Sequence, residues 1–168
     1  MKHEHPEHNR QRGFVSFGTE HAKDSKAADL KEFWQVGQTN IPNGADLSHY
    51  PPNAFVEECE DLEAQANNLY KNLENVGRDM LKAIALHLGL EEGYFEAFVP
   101  GGNSILRLIH YPPIVAEPSS SVRAGQHEDI NLITLLVGAS ASGLEVMDKE
   151  GLWTAVNALP EHLVVNVG

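Results

Sequence analysis

The most regular feature of the sequence is a stripe of apolar residues between residues 55 and 88, where one recurs at every third or fourth position. This spacing is typical of one face of an α-helix, so we predict a long helix over about residues 55–88. Acidic residues crowd its first turns, where negative charge suits the positive end of the helix dipole, and Gly89 is a natural stop. The stripe consists of Phe55, Cys59, Leu62, Ala66, Leu69, Leu73, Val76, Met80, Ile84 and Leu88.

The pattern changes after Gly102 to short β-branched or aromatic runs separated by clusters of Gly, Pro, Ser and Asp. Such runs predict strands. A long helix followed by closely spaced strands favours an α+β fold with an antiparallel sheet or barrel. Residues 1–53 show no sustained period and predict loops with short ordered pieces. The predicted strands are residues 104–111, 131–137, 144–147 and 162–167, and a shorter helix is predicted at 91–98.

The composition narrows the class of protein. The chain has 168 residues, a size typical of one domain, and a formal net charge of −12. Residues 46–100 contain eleven acids and only three bases, which disfavours a nucleic-acid surface. One cysteine, no signal peptide and no apolar run of the ~18 residues that span a bilayer lead us to expect a soluble cytoplasmic protein without a membrane partner.

The candidate chemistry centres on His127-Glu128-Asp129, which lies between a Ser-rich loop and an apolar run. In extended chain, positions i and i+2 share a face, so His127 and Asp129 can face one ion while Glu128 points away. Imidazole with carboxylate suits Fe(II), whose oxygenases use two His and one carboxylate. Taken alone, His-x-Asp is a weak signal, because a chain with nine His and 24 acids can contain it in a surface loop.

An ordered set of motifs surrounds this tripeptide. The set runs through Arg107, Tyr111-Pro112-Pro113, His127-Glu128-Asp129, Leu132-Ile133-Thr134-Leu135-Leu136, Gly143-Leu144-Glu145-Val146, Trp153 and Asn166-Val167-Gly168. In this order the motifs resemble the isopenicillin N synthase-like branch of the 2-oxoglutarate/Fe(II)-dependent dioxygenases. The resemblance extends more loosely upstream to about Gly13.

The resemblance implies a double-stranded β-helix, or jelly roll, that holds Fe(II) in its mouth and is supported by the long helix. Residues 1–103 would form an N-terminal loop and helical region, and residues 104–168 the first part of the jelly-roll core. His127 and Asp129 would be two iron ligands, and Tyr111 would help to hold the cosubstrate 2-oxoglutarate. The enzyme would use dioxygen to oxidise a small molecule, releasing succinate and CO2.

Two elements of the family pattern have no match here: a third ligand His, and the Arg-x-Ser that follows it. We therefore expect an incomplete jelly roll that turns over no 2-oxoglutarate on its own. His162 is interpreted as a strand-start residue, His110 as a partly buried, hydrogen-bonded one and Arg107 as part of a strand-face ion pair. Arg123 is interpreted as a solvated loop charge, and His3, His5 and His8 as members of a floppy, solvated terminus.

Two other classes of protein stay open. An inactive remnant could act as an interaction or structural protein, because open sheet edges are templates for pairing, including self-association. A cupin-like metal binder is a weaker alternative, because its His-x-His should lie on a strand. The only such motif here, His3-Glu4-His5, lies in the polar terminus.

Overall fold

The computed structural model describes residues 3–22, 27–114, 121–138, 142–157, 159 and 161–168. These residues form two compact units, residues 1–127 and residues 128–168. Among the described residues, no helix combines the length and the apolar character needed to cross a bilayer. The predicted division of the chain at residues 103 and 104 stays a prediction.

The long helix, α1, spans Leu62–His87. The predicted start at residue 55 is wrong, because residues 57–61 form turns. Four acids lie within these five positions, and their mutual repulsion disfavours a regular helix. Asp61 is the N-cap residue, a position that Asp often takes, and its backbone oxygen accepts the amide of Gln65 at 3.0 Å.

The predicted stop at Gly89 is confirmed. Gly89 has φ +73°, its amide donates to the Leu86 oxygen at 3.1 Å, and the Leu90 amide donates to the Ala85 oxygen at 2.9 Å. This is the Schellman arrangement, which satisfies carbonyls at a helix C-terminus. The predicted second helix is shorter than expected, a 3-10 turn at Tyr94–Ala97. Arg78 of α1 pairs with Glu96 of this turn at 2.6 Å.

The buried face of α1 differs from the predicted stripe. Ala66, Leu81 and Ala85 are its buried residues, whereas Leu69 and Leu88 of the stripe are exposed. The helix contacts the second strand of a three-stranded sheet and the 3-10 turn. Its buried face is therefore rotated away from the predicted stripe, of which only Ala66 is fully buried.

That sheet belongs to the unit of residues 1–127 and has the antiparallel order β1-β2-β3. Its strands are β1 (Gly13–Val15), β2 (Glu32–Gly37) and β3 (Ile105–His110). The central strand contributes Phe33 and Val36 to the core, with Val15 from β1. The predicted strand at residues 104–111 is thus confirmed, and two ordered pieces of the predicted loop region are strands.

The N-terminal segment is ordered, so the expectation of a floppy terminus is wrong for its described residues. Glu4 forms a β-bridge with Gly13, and the Phe14 amide donates to the His3 oxygen at 3.0 Å. The Ser16 amide donates to the Glu4 carboxylate at 3.2 Å. Pairing with β1 holds this polar segment despite its lack of apolar residues.

The unit of residues 128–168 contains two antiparallel pairs of strands, β4 with β7 and β5 with β6. The strands are β4 (Ile133–Val137), β5 (Glu145–Met147), β6 (Trp153–Ala155) and β7 (Leu163–Val167). Three of them lie where strands are predicted. β6 was not predicted, because its sequence contains one large apolar residue, Trp153, whereas the equally short β5 lies in a run with Leu144, Val146 and Met147.

Candidate metal centre

Asp129 lies in irregular chain four residues before β4 and is partly buried. Its Oδ2 atom accepts two hydrogen bonds, one from the Thr134 hydroxyl at 2.7 Å and one from the Asn166 amide at 2.9 Å. Hydrogen bonds of this kind hold a carboxylate in one orientation, as the outer-shell partners of metal-ligating carboxylates do.

Strand register explains why these two donors meet. Thr134 of β4 and Asn166 of β7 are direct partners in the antiparallel pair, so their side chains leave the same face of the sheet. The Asn131 amide donates to the Thr134 hydroxyl oxygen at 2.9 Å, which leaves the hydroxyl proton for Asp129. Thr134 and Asn166 both lie in motifs of the family pattern, but neither was predicted to have a role.

His127 lies in irregular chain, outside any helix, with its side chain exposed. Its Nδ1 atom is 2.8 Å from the Gly125 carbonyl oxygen. Because a carbonyl oxygen can only accept, Nδ1 carries the proton in this contact. In the neutral imidazole the lone pair is then on Nε2, the arrangement in which a histidine ligates through Nε2.

Tyr111 directly follows β3 and keeps 38% of its surface exposed. A phenol at this position is open to a ligand rather than enclosed in the core. Its assignment to 2-oxoglutarate stays a prediction, as do the assignments of His127 and Asp129 to the metal.

The other polar residues considered in the sequence have protein partners or lie in loops. His110 contacts Glu32 at 2.8 Å, as a hydrogen-bonded residue should, but it is exposed rather than partly buried because β3 is an edge strand. The predicted ion pair of Arg107 is confirmed, with Glu20 at 3.3 Å. His162 directly precedes β7, as predicted, and Arg123 is an exposed loop residue.

The N-terminal histidines form local contacts: His5 lies 2.9 Å from Glu7, and its ring stacks near that of His8. Across the part of the chain that the structure describes, no group of three or more His, Cys, Asp or Glu side chains is arranged to hold a metal ion.

Comparison with known proteins identifies the family. The sequence model of the 2OG-Fe(II) oxygenase superfamily matches residues 102–168. A solved 2OG-Fe(II) oxygenase family protein from Caulobacter crescentus is 43% identical, with a TM-score of 0.80 over 94% of this chain and 51% of that one. The chain belongs to the 2OG-Fe(II) oxygenase superfamily. The predicted family is therefore confirmed, and the isopenicillin N synthase-like branch is consistent with these matches.

Further relatives support the same superfamily. A full-length protein of Neurospora crassa, solved in complex with alpha-KG, is 31% identical, with a TM-score of 0.79 over 98% of this chain and 51% of that one. A 2-oxoglutarate-Fe(II) type oxidoreductase of Aspergillus fumigatus is 29% identical over 93% of this chain and 49% of its own length. The chain thus spans about half the length of these relatives.

The solved oxygenases of this superfamily also confirm the predicted fold class. The antiparallel strand pairs and the long helix are consistent with an α+β fold of the jelly-roll type.

Proposed function

We propose that this chain is the iron-binding portion of a 2-oxoglutarate-dependent oxygenase, with His127 and Asp129 as two ligands of Fe(II). Iron held there would supply the redox chemistry by which 2-oxoglutarate and dioxygen oxidise a small molecule, with release of succinate and CO2. The family match and the alpha-KG bound to the Neurospora crassa relative support this cosubstrate.

The observation that carries the proposal is the pair of hydrogen bonds from Thr134 and Asn166 to Asp129. Two donors on one oxygen hold the carboxylate in a single orientation, as a ligand position requires. The bond from His127 to Gly125 supports the proposal, because it selects the tautomer that leaves the Nε2 lone pair for a metal. An imidazole and a carboxylate are the donor types that Fe(II) takes, so the residues present fit the ion.

Two further roles follow the family resemblance. The phenol of Tyr111 would donate to the 2-oxoglutarate, for which its exposure at the end of β3 is suited. We also propose a cytoplasmic location, in keeping with Cys59, the only cysteine, whose thiol is free and exposed.

The metal assignment is tested by anaerobic calorimetry of the chain with Fe(II). We expect weak binding at one site, lost in His127→Ala and Asp129→Ala. His162→Ala is the matched control, because His162 is also an exposed loop histidine beside a strand, and it should bind Fe(II) as the wild type does. Micromolar affinity that survives His127→Ala would remove the basis of the assignment.

One observation favours a second function, that of an interaction protein. None of the described residues of 128–168 is buried, and apolar side chains on both strand pairs are exposed. Assembly through these strands, with no succinate released from Fe(II), 2-oxoglutarate and dioxygen, would favour this reading over an active oxygenase.

A further inference from the structure

Gly125, whose carbonyl oxygen accepts from His127, is itself held by residues that are distant in the sequence. The Gly125 amide donates to Oδ1 of Asp29 at 2.9 Å, and the Leu30 amide donates to the Val122 oxygen at 2.9 Å. Residues 29 and 30 therefore hold the segment before His127 at two points, although more than ninety residues separate them in sequence.

Asp29 is a buried carboxylate, 4% exposed, and a buried charge needs a partner. Lys31, 6% exposed, provides it, with Nζ 2.9 Å from Asp29 and 2.7 Å from Glu20. Burial alone would lower the pKa of Lys31, but the hydrogen bonds to Glu20 and Asp29 outweigh burial and the pKa is raised. Lys31 is thus charged, and it holds the Asp29 carboxylate in place.

The fit around Gly125 is close. A Cβ atom at this position would lie 2.5 Å from the Ala22 Cβ and 3.3 Å from Oδ1 of Asp29. A side chain on residue 125 would therefore push the peptide away from Asp29. The absence of a side chain lets the Gly125 amide reach the buried carboxylate.

We propose that Asp29, held by Lys31, is a positioning residue for the metal ligand His127. Oδ1 of Asp29 accepts from the backbone amide of Gly125 and so holds this residue in place. The carbonyl oxygen of Gly125 accepts the Nδ1 proton of His127 and so orients the imidazole ring. This inference rests on the proposed function, because it takes His127 to be a ligand. The positioning itself is a property of the metal-free chain and can be measured without a metal.

The first test compares Asp29→Ala with Glu20→Gln in the metal-free chain. Glu20→Gln is the matched control, because it also removes a carboxylate partner of Lys31 but does not contact Gly125. Hydrogen exchange followed by mass spectrometry measures the protection of the Gly125 amide. Solid-state 15N NMR of histidine-labelled protein reports the tautomer of His127, whose signals are assigned by their absence in His127→Ala.

For Asp29→Ala we expect at least a tenfold loss of Gly125 protection and a mixture of His127 tautomers, with both unchanged in Glu20→Gln. Asp29→Asn keeps an oxygen acceptor and should retain more protection than Asp29→Ala. Co(II), an air-stable probe for Fe(II), should bind Asp29→Ala up to about tenfold more weakly, the lower end of the effect of losing a direct outer-shell partner, because Asp29 acts on His127 through Gly125.

A second pair of variants covers the case in which Asp29→Ala does not fold. Gly125→Ala should disturb the His127 tautomer, and adding Ala22→Gly, which removes the closest clash, should restore it. An unchanged tautomer and unchanged exchange in Asp29→Ala, or an unchanged tautomer in Gly125→Ala, would overturn the positioning role. A wild-type chain with the expected tautomer but no Co(II) binding that depends on His127 would instead overturn the proposed function.

Discussion

At the scale of single residues, the sequence indicated the two candidate ligands but not the residues that orient them. His127 and Asp129 were recognised because positions i and i+2 in extended chain share a face and because the ordered motifs around them resemble those of the family. Both signals are contained in the linear sequence. Thr134 and Asn166 are each a polar residue inside an apolar strand, a signal that marks both as unusual. Their convergence on Asp129 depends on the register of β4 against β7, which local patterns do not contain.

Thr134→Val should weaken metal binding without unfolding the chain. Valine has the shape of threonine but no hydroxyl, so Asp129 loses one of these two donors and becomes less well oriented. We expect Co(II) affinity to fall about tenfold, measured by calorimetry. Thr154→Val on β6 makes the same chemical change in the other strand pair and should leave the affinity unaltered. An equal loss in both variants would show that the effect is not specific to Asp129.

At the scale of secondary-structure elements, apolar spacing located α1 but could not locate its first residue. Phe55 and Cys59 continue the helical period, yet they precede the run of acids and the N-cap Asp61. The C-terminus was predictable because glycine supplies the left-handed conformation that the Schellman arrangement requires. β2 was predicted only as a short ordered piece, because its sequence places the apolar Trp34 on the half-buried face and the polar Gln35 on the buried one, which breaks the expected alternation.

Gly89→Ala tests the end of α1. Gly89 has φ +73° and no atom within 4 Å of a Cβ built there, so only the backbone conformation opposes alanine. We expect a loss of about 1 kcal/mol in the free energy of unfolding, measured by urea denaturation. Gly93→Ala is the control, because Gly93 also has open space but an ordinary φ of −85°. Equal losses in the two variants would contradict the role of the left-handed conformation.

Tyr70 provides a pH-dependent test of the contact between α1 and the chain before β3. Its hydroxyl donates to the Ser104 oxygen at 3.2 Å, and burial raises its pKa from 10.0 to about 12. The neutral phenol is therefore favoured in the folded state. The contribution of this neutral phenol to the free energy of unfolding is therefore complete below pH 10 and is lost as the pH rises towards 12.

Removing this phenol should make the stability less sensitive to alkaline pH. Tyr70→Phe should cost at most about 1 kcal/mol at neutral pH, the usual contribution of one hydrogen bond. Only the wild type loses stability through this phenol as the pH rises, so the difference should shrink and then reverse in sign between pH 10 and 12, measured by urea denaturation at each pH. Tyr94→Phe, which removes an exposed phenol, is the control. A constant difference between wild type and Tyr70→Phe across this range would contradict the raised pKa.

At the scale of the whole molecule, the chain matches its relatives over about half of their length. Its two units differ in the burial of their apolar side chains. The unit of residues 1–127 has a core that includes Phe33, Val36 and Leu81. The unit of residues 128–168 has no buried residue among those described. The sequence predicted three of its four strands from their apolar residues, but such residues indicate a strand whether or not other parts of the protein bury it.

The exposed apolar side chains of these strands should cause the chain to self-associate in solution. Leu163, Val165 and Val167 alternate along β7, so they lie on one face, and Val167 is 66% exposed. Covering a single valine or leucine contributes ~1.5–3 kcal/mol, against a total domain stability of only ~5–15 kcal/mol. Several uncovered side chains therefore favour self-association, and we expect concentration-dependent sedimentation together with binding of a hydrophobic dye.

Val167→Lys should shift the chain towards monomer, because a charge on a strand opposes pairing. Leu47→Lys is the control, since Leu47 is equally exposed at 66% but lies in the unit of residues 1–127. A wild-type chain that stays monomeric at every concentration, binds no dye and unfolds in one sharp thermal transition would show that these strands are stable uncovered.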